Sequence, residues 1–345
     1  MMCEMKKQGL EQGSCSVRMP DKTDLPACKA TLKFEDGQFH RLITSCHLSR
    51  PEDYFSIYQS GCNFSCLNCH SWEFSQIYNG QWMSSDDIAD LSKEYESMIT
   101  VWEPRNRALM ITAMDLCLHC GHCIIHNKRG PNCPKKISSD KIILGPQGFG
   151  PARNIIAFTG GDILCQAKFY SEVTKKIKDQ CKKMWVLLET NGYGLTEKNL
   201  DIFKASGVDS FWLDIKAFDE KLHKKLCGTP NKTILDAPQK IIDRDMELEV
   251  LTPYIPGWVE TDQIEKIAEL IANINPNIYY VILAFFPMFK LKSERAPTLM
   301  EMLKSFSIAK SKGLKNVKLG NLGVFIKTNQ DMKTLLAVAG KEAIG

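Results

Sequence analysis

The run Gly61-Cys62-Asn63-Phe64-Ser65-Cys66-Leu67-Asn68-Cys69-His70 holds three cysteines at C-x3-C-x2-C spacing. Three thiolates this close can hold an iron–sulfur cluster, but they leave one of four irons open to a non-protein ligand. The competing readings are a zinc site or buried free thiols. A structural zinc ion wants four ligands, usually in paired C-x2-C units. Only His70 offers a fourth, and its place directly after Cys69 suits chelation poorly. The cluster is favoured because later motifs agree with it.

A second group, Cys117, Cys120, Cys123 and Cys133-Pro134, has the pattern C-x2-C-x2-C-x9-C-P. It is similar to half of a bacterial ferredoxin, with a longer last spacer. No further set of this kind follows, so Cys133 closes the same cluster or another ligand does. Four thiolates would give a saturated centre suited to electron transfer, and three would leave an open iron. Zinc, with His119, His122 or His126 taking part, is the alternative. The remaining cysteines, Cys3, Cys15, Cys28, Cys46, Cys165, Cys181 and Cys227, are expected to be ordinary buried or free thiols. Cys165 stands out because it follows the glycine-rich turn described below.

The elements that must position these groups alternate. Strand candidates are Tyr54–Ser60, Asn154–Thr159, Trp185–Glu189, Ser210–Ile215, Leu248–Thr252, Tyr279–Phe285 and Val317–Leu319. Amphipathic stretches lie between them: Ser84–Met98, Ala167–Lys182, Glu197–Ala205, Asp262–Ala272 and Thr298–Lys312. Continuous apolar strands alternating with helices predict parallel β/α units. Polar and glycine-rich residues gather where strands end: the cysteine loop, Thr159-Gly160-Gly161-Asp162, Glu189-Thr190-Asn191-Gly192 and Asp214-Ile215-Lys216. The predicted fold is α/β, a partial (β/α) barrel with a small cysteine-rich insertion. Residues 1–50 read as an arm with a hairpin around Thr31 to Ile43. The barrel spans 51–325, the insertion 103–150, and the tail 326–345.

The chain has 345 residues, 14 cysteines and a formal charge of +4. That charge argues for neither nucleic acid nor membrane as a partner. Met1 to Ala30 lacks the apolar stretch of a secretory leader, and so many thiols suit a reducing compartment. A cytoplasmic location is expected.

The C-x3-C-x2-C loop resembles the signature of radical S-adenosylmethionine (SAM) enzymes. Thr159-Gly160-Gly161-Asp162 resembles their Gly-Gly-Glu motif, with Asp162 one methylene shorter. Glu189-Thr190-Asn191-Gly192-Tyr193 and Leu213-Asp214-Ile215-Lys216 resemble motifs of the glycyl-radical-enzyme activases, pyruvate formate-lyase activating enzyme among them. Cys-His-Ser-Trp-Glu-Phe-Ser-Gln at 69–76 and Thr252-Pro253-Tyr254-Ile255-Pro256-Gly257 resemble the AmmeMemoRadiSam branch. Asn68 and Phe286-Pro287 depart from these patterns, which often have an aromatic residue and His-Pro.

The resemblance implies a [4Fe-4S] cluster on Cys62, Cys66 and Cys69 whose open iron binds SAM. An electron then splits the sulfonium and releases a deoxyadenosyl radical. It places Thr159, Gly160, Gly161, Asp162, Glu189, Thr190, Asn191, Asp214 and Lys216 around SAM, with Lys216 on the methionine carboxylate. A second, auxiliary [4Fe-4S] cluster is expected on Cys117, Cys120, Cys123 and Cys133. Reduced ferredoxin or flavodoxin would donate electrons. The substrate would be a protein or a small metabolite. A non-enzymatic electron carrier or cluster-delivery protein is the alternative, but it has no need of residues for SAM. A zinc-binding interaction module is a third.

Overall fold

In the computed structural model, which describes residues 3–345, every apolar run read as a strand is one. The main sheet has ten strands: β1 (Leu32–Glu35), β2 (Gln38–Leu48), β3 (Phe55–Gln59), β4 (Gln81–Ser84), β5 (Ile155–Gly160), β6 (Trp185–Thr190), β7 (Ser210–Asp214), β8 (Glu247–Tyr254), β9 (Tyr279–Ala284) and β10 (Asn316–Gly320). Their order is β10-β9-β8-β7-β6-β5-β3-β2-β1, with β4 on β2. From β3 to β10 along this path all pairs are parallel. β2 extends the sheet antiparallel to β3, and β1 and β4 each pair antiparallel with β2. The expected hairpin near Thr31 to Ile43 is therefore part of the sheet.

Parallel neighbours need crossovers, and helices supply them. They are α1 (Ser85–Glu96), α2 (Ala167–Gln180), α3 (Glu197–Ser206), α4 (Glu220–Cys227), α5 (Lys232–Ile242), α6 (Thr261–Ile274) and α7 (Leu299–Ser311); α8 (Asn329–Ala339) follows the last strand. Local sequence sets their ends. Ser84 with Asp87, Thr298 with Glu301 and Thr328 with Asp331 form capping boxes. The sheet is an open arc, so the result is a partial barrel. Its β10 edge is covered by the chain's end: Leu319 bridges Ile344, and Gly345 N–H donates to Leu319 O at 3.0 Å.

Two apolar clusters hold the arc together. The larger lies between strands and helices, with Phe158, Phe169, Tyr170, Phe203 and Phe211 among its buried members. The smaller is inside the barrel. There Tyr54, Ile155, Ala157, Leu187, Leu251 and Val281 pack on Ala108, Met110, Ile111 and Met114. Residues 108–114 thus plug the barrel. Buried Glu249, on β8, accepts from the N–H groups of Met110 and Ile111. Buried Arg153 donates to the carbonyls of Glu52, Arg107 and Leu109 and to the Thr112 hydroxyl.

Candidate functional site

Beyond β3 the chain turns at Gly61, and the cysteine loop begins. The Gly61 and Cys62 amides donate to the carbonyls of Phe74 (2.8 Å) and Ser75 (3.0 Å). Leu67 N–H reaches Leu226 O at the end of α4, at 2.9 Å, and Asn63 N–H reaches Asp162 O at 2.7 Å. The loop is fixed by backbone bonds to three elements, so its sulfurs are held without help from one another.

The Gly160-Gly161 turn after β5 nests against it. Gly160 has φ +85°, and a Cβ on Gly161 would stand 2.3 Å from Gly61 O. Glycine is required there because the two loops touch through their backbones. Asp162 is buried and accepts three hydrogen bonds. One oxygen accepts from Leu164 N–H at 2.7 Å, the other from Thr190 Oγ1 (2.7 Å) and Asn191 N–H (2.8 Å). By accepting these three bonds its carboxylate orients the end of β6. Asn191 Nδ2 donates to Asn63 Oδ1 at 2.6 Å and approaches Cys62 Sγ at 3.6 Å.

Lys216 and Asp214 pair at 2.7 Å, and the other Asp214 oxygen is buried without a partner. Burial works to lower the Lys216 pKa, but the Asp214 carboxylate outweighs it and the net shift is upward. Lys216 therefore carries a fixed positive charge. Glu189 accepts from Tyr54 Oη at 2.8 Å and from Thr159 Oγ1. Burial pushes its pKa up to about 8.

That shift gives a pH prediction. Glu189 binds its proton more tightly folded than unfolded, so its stabilising effect is complete below pH ~4.5 and is lost as pH rises through about 8. Glu189→Gln should lose less melting temperature between pH 5.5 and 8.5 than the native chain does. Parallel profiles would show that Glu189 is not the titrating group.

All these groups open on one cavity of ≈490 Å³, a size suited to a cofactor or drug-sized ligand. Cys62, Cys66, Cys69, Thr159, Gly160, Asp162, Glu189, Thr190, Asn191, Asp214 and Lys216 line it. Gly161 lies behind, against the cysteine loop. Lining residues that the sequence did not reveal include Tyr58, Trp212, Asn321 and the plug residues Met110 and Met114. Strand alternation carries part of that signal: Tyr58 pairs with Thr159, and Glu189 with Trp212, on the inward-facing rows.

The second cysteine group sits elsewhere. Cys117, Cys120, Cys123 and Cys133 line one small pocket walled by Leu116, Ile124, Ile137, Ile142 and Phe149. The Cys120 and Cys133 sulfurs are 3.2 Å apart. His119 lines the same pocket, and its Nε2 meets Asp53 at 2.8 Å. The amides of His119 and Ile137 point at the sulfurs of Cys117 and Cys123.

Among the described residues no three Cys, His, Asp or Glu side chains converge as one metal ion would require. The first group brings three thiols to the cavity and the second brings four to its pocket, the donor type that iron–sulfur clusters take.

Residues 117–271 match the profile of the Radical SAM superfamily. The chain carries a radical SAM domain. The matched span begins at Cys117 and omits Cys62, yet it is the Cys62 loop that shares the cavity with Asn191 and Lys216. The 4-hydroxyphenylacetate decarboxylase activating enzyme of Clostridium scatologenes is 32% identical over 129 residues, 37% of this chain and 39% of that one. The enzyme of the same name from Clostridioides difficile (strain CD196) is 25% identical over 240 residues, 64% of this chain and 72% of that one. The chain spans less than half the length of two of the curated relatives it matches. Among solved structures, Streptococcus suis SuiB bound to precursor peptide SuiA superposes with a TM-score of 0.51 at 10% identity, covering 80% of this chain and 50% of that one. This likeness supports the partial-barrel fold of the radical SAM domain. Among the described residues no helix is long and apolar enough to cross a membrane.

Proposed function

We propose that this protein cleaves SAM reductively at a cluster held by Cys62, Cys66 and Cys69, and uses the product to abstract hydrogen from a protein substrate. The observation that carries this is the shared cavity: three cysteines, the Asp162-oriented end of β6 and the Lys216 ammonium face one space. A [4Fe-4S] cluster there would supply the electron and the open iron that anchors SAM.

The chain's own residues do the rest. Lys216 offers a charge-assisted partner for a carboxylate. Asp162 holds Thr190 and Asn191 in place, and Asn191 braces the cysteine loop through Asn63. Phe285, Phe286 and Met288 give the cavity an apolar rim. The relatives' names, activating enzymes of a decarboxylase, support a protein substrate of the glycyl-radical kind. Cys117, Cys120, Cys123 and Cys133 would hold an auxiliary [4Fe-4S] cluster, and a cytoplasmic setting suits both.

Anaerobically reconstituted and reduced protein should bind SAM and release 5′-deoxyadenosine. Reduced, cluster-loaded protein that neither binds nor cleaves SAM would overturn the reading in favour of an electron carrier.

The insertion is the face we assign to the electron donor. Lys128, Arg129, Lys135, Lys136 and Lys141 are exposed there against a single acid, Asp140. Ile124, Ile125, Leu144 and Phe149 are exposed among them, beside the cysteine pocket. An acidic carrier such as ferredoxin or flavodoxin fits such a surface. Reversing Lys128, Arg129 and Lys136 to glutamate should slow SAM cleavage by roughly tenfold or more with reduced flavodoxin at low salt. The rate with dithionite should not change. Equal slowing with both reductants would place the defect in the clusters instead of the docking face.

A further inference from the structure

A further cavity, of ≈310 Å³, lies between residues 114–134 and residues 318–344. That volume is at the lower end of small-ligand pockets. Met114 of the plug faces both this cavity and the one lined by Cys62, while Cys133 faces both it and the second cysteine pocket. The cavity therefore sits where three parts of the chain meet: the plug, the segment of the second cysteine group, and β10 with the residues after α8.

Its charge sets it apart. Lys318, on β10, is in register with Val281 and through it with Leu251, two members of the apolar cluster inside the barrel. A lysine in that row is only 7% exposed, and a buried ammonium is costly unless it is paired. Its Nζ donates to Asp115 Oδ1 at 3.1 Å and to Ile344 O at 3.3 Å. An ammonium carries three N–H groups, so one is left for the cavity that Lys318 lines. Arg129 and Lys341 line the same space from exposed positions, and among the described residues neither forms an ion pair. The acids here are Asp115 and Glu342, and Asp115 is already shared between Lys318 and Arg107, whose Nη1 is at 3.5 Å. Three cations thus face two acids, and Asn132 adds a side-chain amide.

We propose that this cavity binds a small polyanion, a phosphate ester or a polycarboxylate, with Lys318 as the buried anchor and Arg129 and Lys341 as the outer contacts. Hydrogen bonds from charged donors to such oxygens are the strong ones, and the planar guanidinium of Arg129 suits either group. A bound anion joins the segment of Arg129 to β10 and to the segment of Lys341, and so fastens the second cysteine group to the barrel. The site is separate from the SAM cavity, and its occupancy does not depend on SAM chemistry.

The test is calorimetric titration of the full-length, anaerobically reconstituted protein with inorganic phosphate and, separately, with tricarballylate, which offers three carboxylates without the iron-chelating hydroxyl of citrate. Ionic strength is held constant with potassium chloride, so that general screening is not read as binding. Saturable one-to-one binding is expected, with a melting temperature raised by about 2 °C or more at saturation. Tighter binding of phosphate assigns the phosphate-ester class, and tighter binding of tricarballylate the polycarboxylate class. Arg129→Gln/Lys341→Gln changes only exposed side chains and should weaken binding by about tenfold or more. Lys318→Met should abolish it. Because Lys318 also holds Asp115 and Ile344, the glutamine pair decides the matter should the methionine variant fail to fold. No saturable binding of either anion, or unchanged affinity in the glutamine pair, would overturn the proposal.

Discussion

Substituting Cys66 by alanine is expected to remove SAM cleavage and about four irons while leaving the auxiliary cluster in place. Cys66 is the middle cysteine of the loop and the most deeply set of the three, 9% exposed. Two thiolates cannot hold a cluster that already leaves one iron open. The loop itself should survive, because its shape rests on backbone bonds to Phe74, Ser75, Asp162 and Leu226. The variant should therefore melt close to the cluster-free native chain, and 5′-deoxyadenosine should fall to background. Cys120→Ser gives the reciprocal result: iron is lost from the insertion, while SAM still binds. If Cys66→Ala kept its iron and its activity, the cysteine loop would not be the site.

Replacing Arg153 by methionine should cost roughly 3–5 kcal/mol of stability, in the range of a broken buried charge network. Its guanidinium is fully buried and serves the carbonyls of Glu52, Arg107 and Leu109 and the hydroxyl of Thr112, with Glu103 Oε1 at 3.8 Å. Methionine fills much of the volume but donates nothing, so Glu52 O loses this donor and the Arg107 and Leu109 carbonyls keep only the Thr112 hydroxyl. The loss should fall on the plug, so Met110 and Met114 would no longer close the cavity floor. Arg153→Lys should recover only part, because an ammonium cannot reach the same acceptors from one plane. Urea unfolding checks both variants. A change under about 1 kcal/mol in Arg153→Met would show that the plug is held by its apolar contacts alone.

The sequence made the strands legible because each is a run of apolar residues ending in a polar or glycine-rich turn, and that pattern survives without tertiary information. The cysteine loop and the Gly160-Gly161 turn were legible for a related reason: their chemistry is local. What could not be read is long-range. Nothing near Ala108–Met114 announces that it enters the barrel, since an apolar stretch in a loop looks the same whether it meets solvent or a core. Glu249 sits in an apolar strand and is understood only once the amides of Met110 and Ile111 are seen to face it. Asp162 reads in sequence as an acid of the SAM pocket, and only the structure shows it bracing the end of β6 as well.

The most direct test of the central claim is the electron paramagnetic resonance spectrum of the reduced, reconstituted protein with and without SAM. To isolate the first cluster, it is recorded on Cys120→Ser. SAM should shift the spectrum of the Cys62, Cys66 and Cys69 cluster, because the ligand binds its open iron. A reduced cluster whose spectrum is identical with and without SAM would contradict the account.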